Sequence, residues 1–347
     1  MRNMIDFYAS ERHYVDHLVP VWEALGAKSH FIVTLDLCEY LKSMVTEPGR
    51  VKGVRSPAEF RSFRDDKYVL VAGYRDIQAV QRAGYRHVAF MEHGVGITYG
   101  LHRSYAGGRG ERTQVELFLA PNEIVRVKTE KALPGVRQAV VGTPKLDGWK
   151  AEGRRQNAEY EKSVVAVSFH WDGARVVPEA GTAFAHFRKI LPVLARRGKF
   201  ELIGHGHPRA MGKLRHEYER MGIEVVTDFE EVMRRADVYV CDNSSTIYEF
   251  LVTGKPVVLL NAPEYRKKVN WGIRFWDYTD VGPCIDEPEE LLSAISGQLS
   301  AVSDQRSADG GERYAEAREK AVRELYPFLG ESAVRAAEAL REWGNEE

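Results

Sequence analysis

Three short runs carry residue types and spacings that could do chemistry. The first, Asp242-Asn243-Ser244-Ser245-Thr246, closes an apolar stretch and opens a short helical pattern that includes Glu249. A helix start leaves backbone N–H groups free, and with hydroxyls around it such a start suits phosphate. Glu249 falls on the helix face of Ser245, where a carboxylate can accept hydrogen bonds from ribose hydroxyls. The plainer reading is that Ser244 or Asn243 simply caps the helix and Glu249 is solvated. In the second run, Gly204-His205-Gly206-His207-Pro208-Arg209, Gly204 and Gly206 let the chain turn sharply and Pro208 fixes the exit. His207 and Arg209 would then donate to diphosphate oxygens, Arg209 through its forked guanidinium. The spacing of His205 and His207 is too sparse for a metal site. In the third run, Glu92-His93-Gly94, a strand delivers His93 to a glycine turn that lets a substrate approach closely. Histidine takes up a proton near neutral pH, so His93 is the candidate base, with Glu92 to orient it or to face away. The basic, glycine-rich segment that follows holds Arg103 and Arg109, which could meet an acceptor or form a plain surface loop. Tyr8–His13 and Ala72–Asp76 also follow strand patterns and could line the acceptor side.

These runs need elements to position them. Apolar strand patterns occur at Met4–Tyr8, His30–Thr34, Tyr68–Ala72, His87–Glu92, Leu117–Ala120 and Gln138–Val141. They resume after a polar break at Val164–Ser168, Phe200–Gly204, Glu224–Thr227, Val238–Cys241, Val257–Leu260 and Pro283–Ile285. Helical patterns alternate with them at Tyr14–Leu25, Ile77–Ala83, Ala183–Arg196, Lys213–Met221 and Pro288–Leu299. Uncharged strands between helices imply parallel sheets covered on both faces. The charged linker Glu152–Asn157 divides the series. The expectation is a Rossmann-like domain over 1–150 on the acceptor side and a second over 151–312 for a donor nucleotide. A long polar helix over 313–347 would follow, able to fold back on the first domain.

Bulk properties narrow the function. The 347 residues are 44% hydrophobic and 29% charged with net charge −1, which argues for folded domains and against a surface that grips nucleic acid throughout. Three scattered cysteines form no zinc or disulfide pattern, and no run approaches the ~18 apolar residues of a membrane span. A cytoplasmic protein is expected, at most peripheral to a membrane and with no integral insertion.

Read in order, His93-Gly94, Val141-Gly142-Thr143-Pro144-Lys145-Leu146-Asp147, His207-Pro208, and Asp242-Asn243-Ser244-Ser245 followed by Lys255-Pro256 resemble the CDP-glycerol glycerophosphotransferase family of teichoic acid synthesis. More broadly they are similar to nucleotide-diphosphate-dependent transferases of the GT-B fold, in which two doubly wound domains face across a cleft. The resemblance implies donor binding in the C-terminal half, with pyrophosphate held by His207 and Ser244–Ser245 and His93 as acceptor-side base. The chain departs from the family at Glu249, where an Asp is common, and at Phe169-His170-Trp171-Asp172-Gly173, where a Thr- and Arg-rich segment is expected.

The combined expectation is a transferase. It would move a glycosyl or glycerophosphate-type group from a nucleotide-linked sugar or polyol to an acceptor hydroxyl on a polymer, a lipid-linked molecule or nucleic acid. No cofactor or metal is required beyond that donor, since no Asp-x-Asp pair sits at a strand end in the right context. Three alternatives stand beside it. One is a UDP-sugar 2-epimerase using carboxylates among Asp36, Asp76 and Glu92; another is a DNA-modifying glycosyltransferase. The third is a nucleotide-sugar binding protein without chemistry.

Overall fold

A computed structural model describes residues 4–26, 29–56, 59, 68–95, 114–149, 162–171, 182–197, 199–261, 278, 280–303 and 312–345. These form two compact units. One holds the described residues of 1–96, 101–150 and 324–347, and the other those of 151–323.

The first unit is built on seven strands: β1 (Ile5–Ala9), β2 (Phe31–Thr34), β3 (Val51–Val54), β4 (Tyr68–Val71), β5 (His87–Met91), β6 (Leu117–Ala120) and β7 (Arg137–Val140). All pair in parallel, in the order β3-β2-β1-β4-β5-β6-β7. The second unit holds β8 (Val164–Phe169), β9 (Glu201–Gly206), β10 (Glu224–Val225), β11 (Val238–Cys241), β12 (Val257–Leu260) and β13 (Cys284–Ile285), also parallel, in the order β10-β9-β8-β11-β12-β13. Every residue of β1, β8, β11 and β12 is buried, as strands covered on both faces must be. The order reverses between β1 and β4 in the first sheet and between β8 and β11 in the second. Ligands of doubly wound folds bind beyond the carboxyl ends of strands at such reversals.

The twelve strand patterns read from the sequence all form strands. The thirteenth, β3, escapes the pattern because Lys52 and Gly53 interrupt it and only Val51 and Val54 are buried. Two helices differ from expectation, each at a proline, whose missing N–H and bulky ring fit a helix start better than an interior, although the helix Arg12–Leu25 carries Pro20 unbroken. The stretch expected as Ala183–Arg196 forms two short helices, Phe184–Phe187 and Leu191–Arg197, with Pro192 in the first turn of the second. The single C-terminal helix expected over 313–347 is broken at Pro327 into Glu312–Leu325 and Ser332–Trp343.

The last helix completes the core of the first unit. Its Ala336, Leu340 and Trp343 pack with Val15, Leu18 and Trp22 of α1 (Arg12–Leu25). Asp147 caps its start, accepting from the N–H groups of Gly330, Ser332 and Ala333 at 2.9, 3.1 and 2.7 Å. Gly142, at φ +90°, leaves the space that the Ser332 side chain occupies. The Gly142–Asp147 motif therefore docks a helix. Lys255 has a comparable use: its ammonium donates to the carbonyls of Met233, Arg234 and Ala236, at the end of a helix over Phe229–Arg235.

Candidate functional site

In the first unit, the ends of β1, β4 and β5 bring together Ser10, Gly73 and Glu92-His93. Nδ1 of His93 lies 2.9 Å from the carbonyl oxygen of Ala72. A carbonyl only accepts, so Nδ1 carries the hydrogen and Nε2 of the neutral ring holds a lone pair. Glu92 does not face away. Its Oε1 is 3.7 Å from His93 Nδ1, and its Oε2 accepts from the Tyr74 hydroxyl at 2.7 Å. Burial pushes the Glu92 carboxyl above its ordinary range, opposed by His93. Gly94 follows, with open space where a side chain would stand.

Other groups crowd around His93. Its ring meets Tyr14 at 4.9 Å, His13 at 5.5 Å, Tyr74 at 6.0 Å and His17 at 6.4 Å between centroids. His17 is 2% exposed, and burial with the charge of Lys145 holds its pKa well below the usual imidazole range. Asp76 is also buried. It accepts from the Ser10 hydroxyl at 2.6 Å and the Ser10 N–H at 3.2 Å, and burial raises its pKa to about 7. Ser10, His13, Tyr74 and Asp76 belong to segments that the sequence places after strands. Tyr14 and His17 were missed because a helix over Tyr14–Leu25 reads as packing. The i, i+4 pair His13 and His17 was the available signal.

In the second unit, the ends of β8, β9 and β11 bring together His170-Trp171, His207-Arg209 and the Asp242–Thr246 turn. Asp242, fully buried, binds three donors: the His170 N–H at 2.8 Å, and the Thr182 hydroxyl and Ala183 N–H, both at 3.0 Å. Burial raises its pKa to about 6, against those bonds. Nδ1 of His207 accepts from the Arg209 N–H at 3.2 Å, so the neutral ring carries its hydrogen on Nε2. The His207 ring stands edge-on to His170 at 4.9 Å, and the Arg209 guanidinium lies 5.7 Å from the centre of the Trp171 ring. His170 donates Nδ1–H to the carbonyl of Trp171 at 3.0 Å, and burial lowers its pKa to about 4.

Two sequence expectations change here. Neither Ser244 nor Asn243 is the N-cap of the helix over Thr246–Leu251; Ser245 is, in a helical backbone conformation and with no side-chain cap bond. The Ser244 hydroxyl still closes the helix start, accepting from the Thr246 N–H at 3.4 Å and from the Thr246 hydroxyl at 2.9 Å, and Thr246 also meets the Tyr239 hydroxyl at 2.8 Å. The helix has 6 residues, so its dipole is small and side-chain donors must carry more of any anion binding. Gly204 and Gly206 are the second change: they lie within β9 and make no turn. The missing side chain of Gly206 leaves room for Leu214, while Gly204 does the same for the Tyr218 ring, which a Cβ would meet at 2.5 Å. Asn243 and Glu249 are buried at the turn, at 1% and 5% exposure. Arg103 and Arg109 lie outside the described residues.

Among the described residues no group of three His, Cys, Asp or Glu could hold a metal ion, and no helix is long and apolar enough to cross a membrane.

No protein-family model matches the sequence, and a search of curated proteins finds no match. Solved structures do match over almost the whole chain. The wall teichoic acid polymerase TagF is 12% identical, with TM-score 0.70 over 99% of this chain and 89% of that one. A putative UDP-N-acetylglucosamine 2-epimerase from Listeria monocytogenes is 14% identical, with TM-score 0.64 over 100% and 98%. MnaA of S. aureus, in a co-structure with UDP, is 13% identical, with TM-score 0.59 over 97% and 94%. At such identities the likeness is one of fold: two parallel-sheet α/β units of the GT-B type.

Proposed function

We propose that the chain is a transferase that moves a glycosyl or glycerophosphate-type group from a nucleotide-diphosphate donor to an acceptor hydroxyl. The observation that carries the reading is the opposite tautomer of the two strand-end histidines. His93 presents a lone pair on Nε2, and His207 presents a hydrogen on Nε2. A lone pair suits deprotonation, and an N–H beside a guanidinium suits an oxyanion. In the proposed reaction the acceptor O–H proton passes to His93 Nε2 as the oxygen attacks the donor carbon or phosphorus. The bond to the leaving phosphate oxygen breaks and that oxygen keeps the electron pair. His207, Arg209 and the Ser244–Thr246 turn stabilise its charge, and Glu249 takes the ribose hydroxyls. The fold shared with a teichoic acid polymerase and a UDP-bound protein supports a nucleotide-linked donor. The proposed setting is cytoplasmic, with no cofactor beyond the donor.

One observation favours a second reading, a nucleotide-sugar 2-epimerase. Asp76 and Glu92 are buried carboxyls with raised pKa that follow the neighbouring strands β4 and β5, and a single deprotonation does not need both.

Thermal shift with CDP-, UDP-, GDP- and dTDP-linked donors tests the core of the proposal, because a ligand of the native state raises its melting temperature. No shift with any of them sinks it. Incubating the bound donor without an acceptor separates the two readings. A transferase leaves the donor intact, whereas an epimerase converts it and loses that conversion in Asp76→Asn.

A further inference from the structure

We propose that His170 and Trp171 are positioning residues that set the anion-binding arm of the second unit, Trp171 by holding Arg209 and His170 by holding His207. The inference rests on reading that edge as a diphosphate site. Arg209 is exposed, and a long exposed side chain is mobile unless something restrains it. The Trp171 ring supplies a restraint, with the guanidinium 5.7 Å from its centre, within cation–π range. His170 lies against His207 with ring centres 4.9 Å apart and planes at 65°, and the Trp171 ring is 6.3 Å from that of His207. The dipeptide is itself anchored. The His170 N–H is bound by Asp242 at 2.8 Å, and the His170 ring is tied to the Trp171 carbonyl at 3.0 Å. Asp242 opens the turn expected to receive phosphate, so one carboxylate fixes both the turn and the pair that braces the two side-chain donors.

The His170 Nδ1–H is already given to the Trp171 carbonyl at 3.0 Å. The use of the pair is indirect: the two rings pre-order a histidine N–H and a guanidinium, which lowers the entropy lost when an anion binds. The short helix behind the turn makes that pre-ordering more important.

Calorimetric titration of the full chain with inorganic pyrophosphate, and with CDP and UDP, tests this. Trp171→Leu should weaken pyrophosphate binding by about 2- to 5-fold, and Trp171→Phe should restore most of it because a π face returns. In an Arg209→Ala background Trp171→Leu should cause no further loss, and His170→Leu should cause none in a His207→Gln background. A residue that only packs would weaken binding in both backgrounds and would treat Phe and Leu alike; either result overturns the proposal. Thermal melts identify a variant that fails to fold; should Trp171→Leu do so, Trp171→Met, alone and in the Arg209→Ala background, takes its place. A parent that binds pyrophosphate but neither nucleotide refutes the nucleotide donor and leaves the positioning pair standing. A parent that binds none of the three refutes both.

Discussion

Beyond the carboxyl end of β5, His93 donates its Nδ1–H to the Ala72 carbonyl and keeps a lone pair on Nε2. Beyond the carboxyl end of β9, His207 spends its Nδ1 lone pair on the Arg209 N–H and keeps a hydrogen on Nε2. The side chain is the same and the chemical role is reversed by one backbone contact. The surroundings differ in the same sense. Around His93 stand Glu92, a buried carboxyl with raised pKa, and the neutral His17, and Asp76, also raised, follows the next strand, groups suited to moving protons. Around His207 stand an indole that faces a guanidinium and the His170 ring, whose N–H the buried Asp242 holds, groups suited to holding a charge still.

Breaking the histidines should separate these roles most sharply. His93→Gln is expected to lower kcat by about 10²–10⁴ with donor Kd within about twofold, and His207→Gln to weaken donor binding by about tenfold or more. Steady-state kinetics with calorimetry checks both, and equal losses of affinity would erase the distinction. Next in size is Asp242→Ala, which orphans two N–H groups and a hydroxyl and should cost about 3 kcal/mol in urea unfolding. A loss under about 1 kcal/mol would mean that water replaces the carboxylate.

The carboxyl in the matching place on the first sheet should behave differently. Asp76 titrates at about 7 in the folded chain against an ordinary value of 3.8, so the native state binds the extra proton in that window. Its contribution is fully present below pH ~4 and is lost as pH rises through ~7. Relative to Asp76→Asn, the parent should lose stability between pH 5 and pH 8, as urea midpoints at about those values would reveal. A constant difference would place the Asp76 pKa at its ordinary value. Smallest is Lys255→Met, which removes three bonds to carbonyls that water can partly replace. About 1–2 kcal/mol is expected, with nucleotide affinity unchanged.

Much of this was legible in the sequence, and the limit has a physical form. Strands such as Val164–Phe169 and Val257–Leu260 declare themselves because burial on both faces demands unbroken apolar residues. His93 and His207 stand out because a strand end meets Gly or Pro. Asp76 beside Ser10 does not, since their contact depends on β4 lying next to β1 across 66 residues of chain. The same holds for His170 beside His207, joined only when β9 pairs with β8. Edge strand β3 was hidden because an edge tolerates Lys52 and Gly53. A motif can also mislead about use: Asp147 and Lys255 sit in runs that resemble a transferase family, yet here they cap helices.

The docking of the Ser332–Trp343 helix has a consequence for how the protein is made. A ribosome delivers β1 to β7 long before Leu340 and Trp343, so the first unit must wait with the apolar stripe of α1 (Val15, Leu18, Trp22) uncovered while the whole second unit is translated. The second unit, contiguous in the chain, can close during that interval. The nascent first unit is therefore the natural client for a chaperone, and a stop placed just after Arg323 would yield a chain whose second unit folds while its first aggregates.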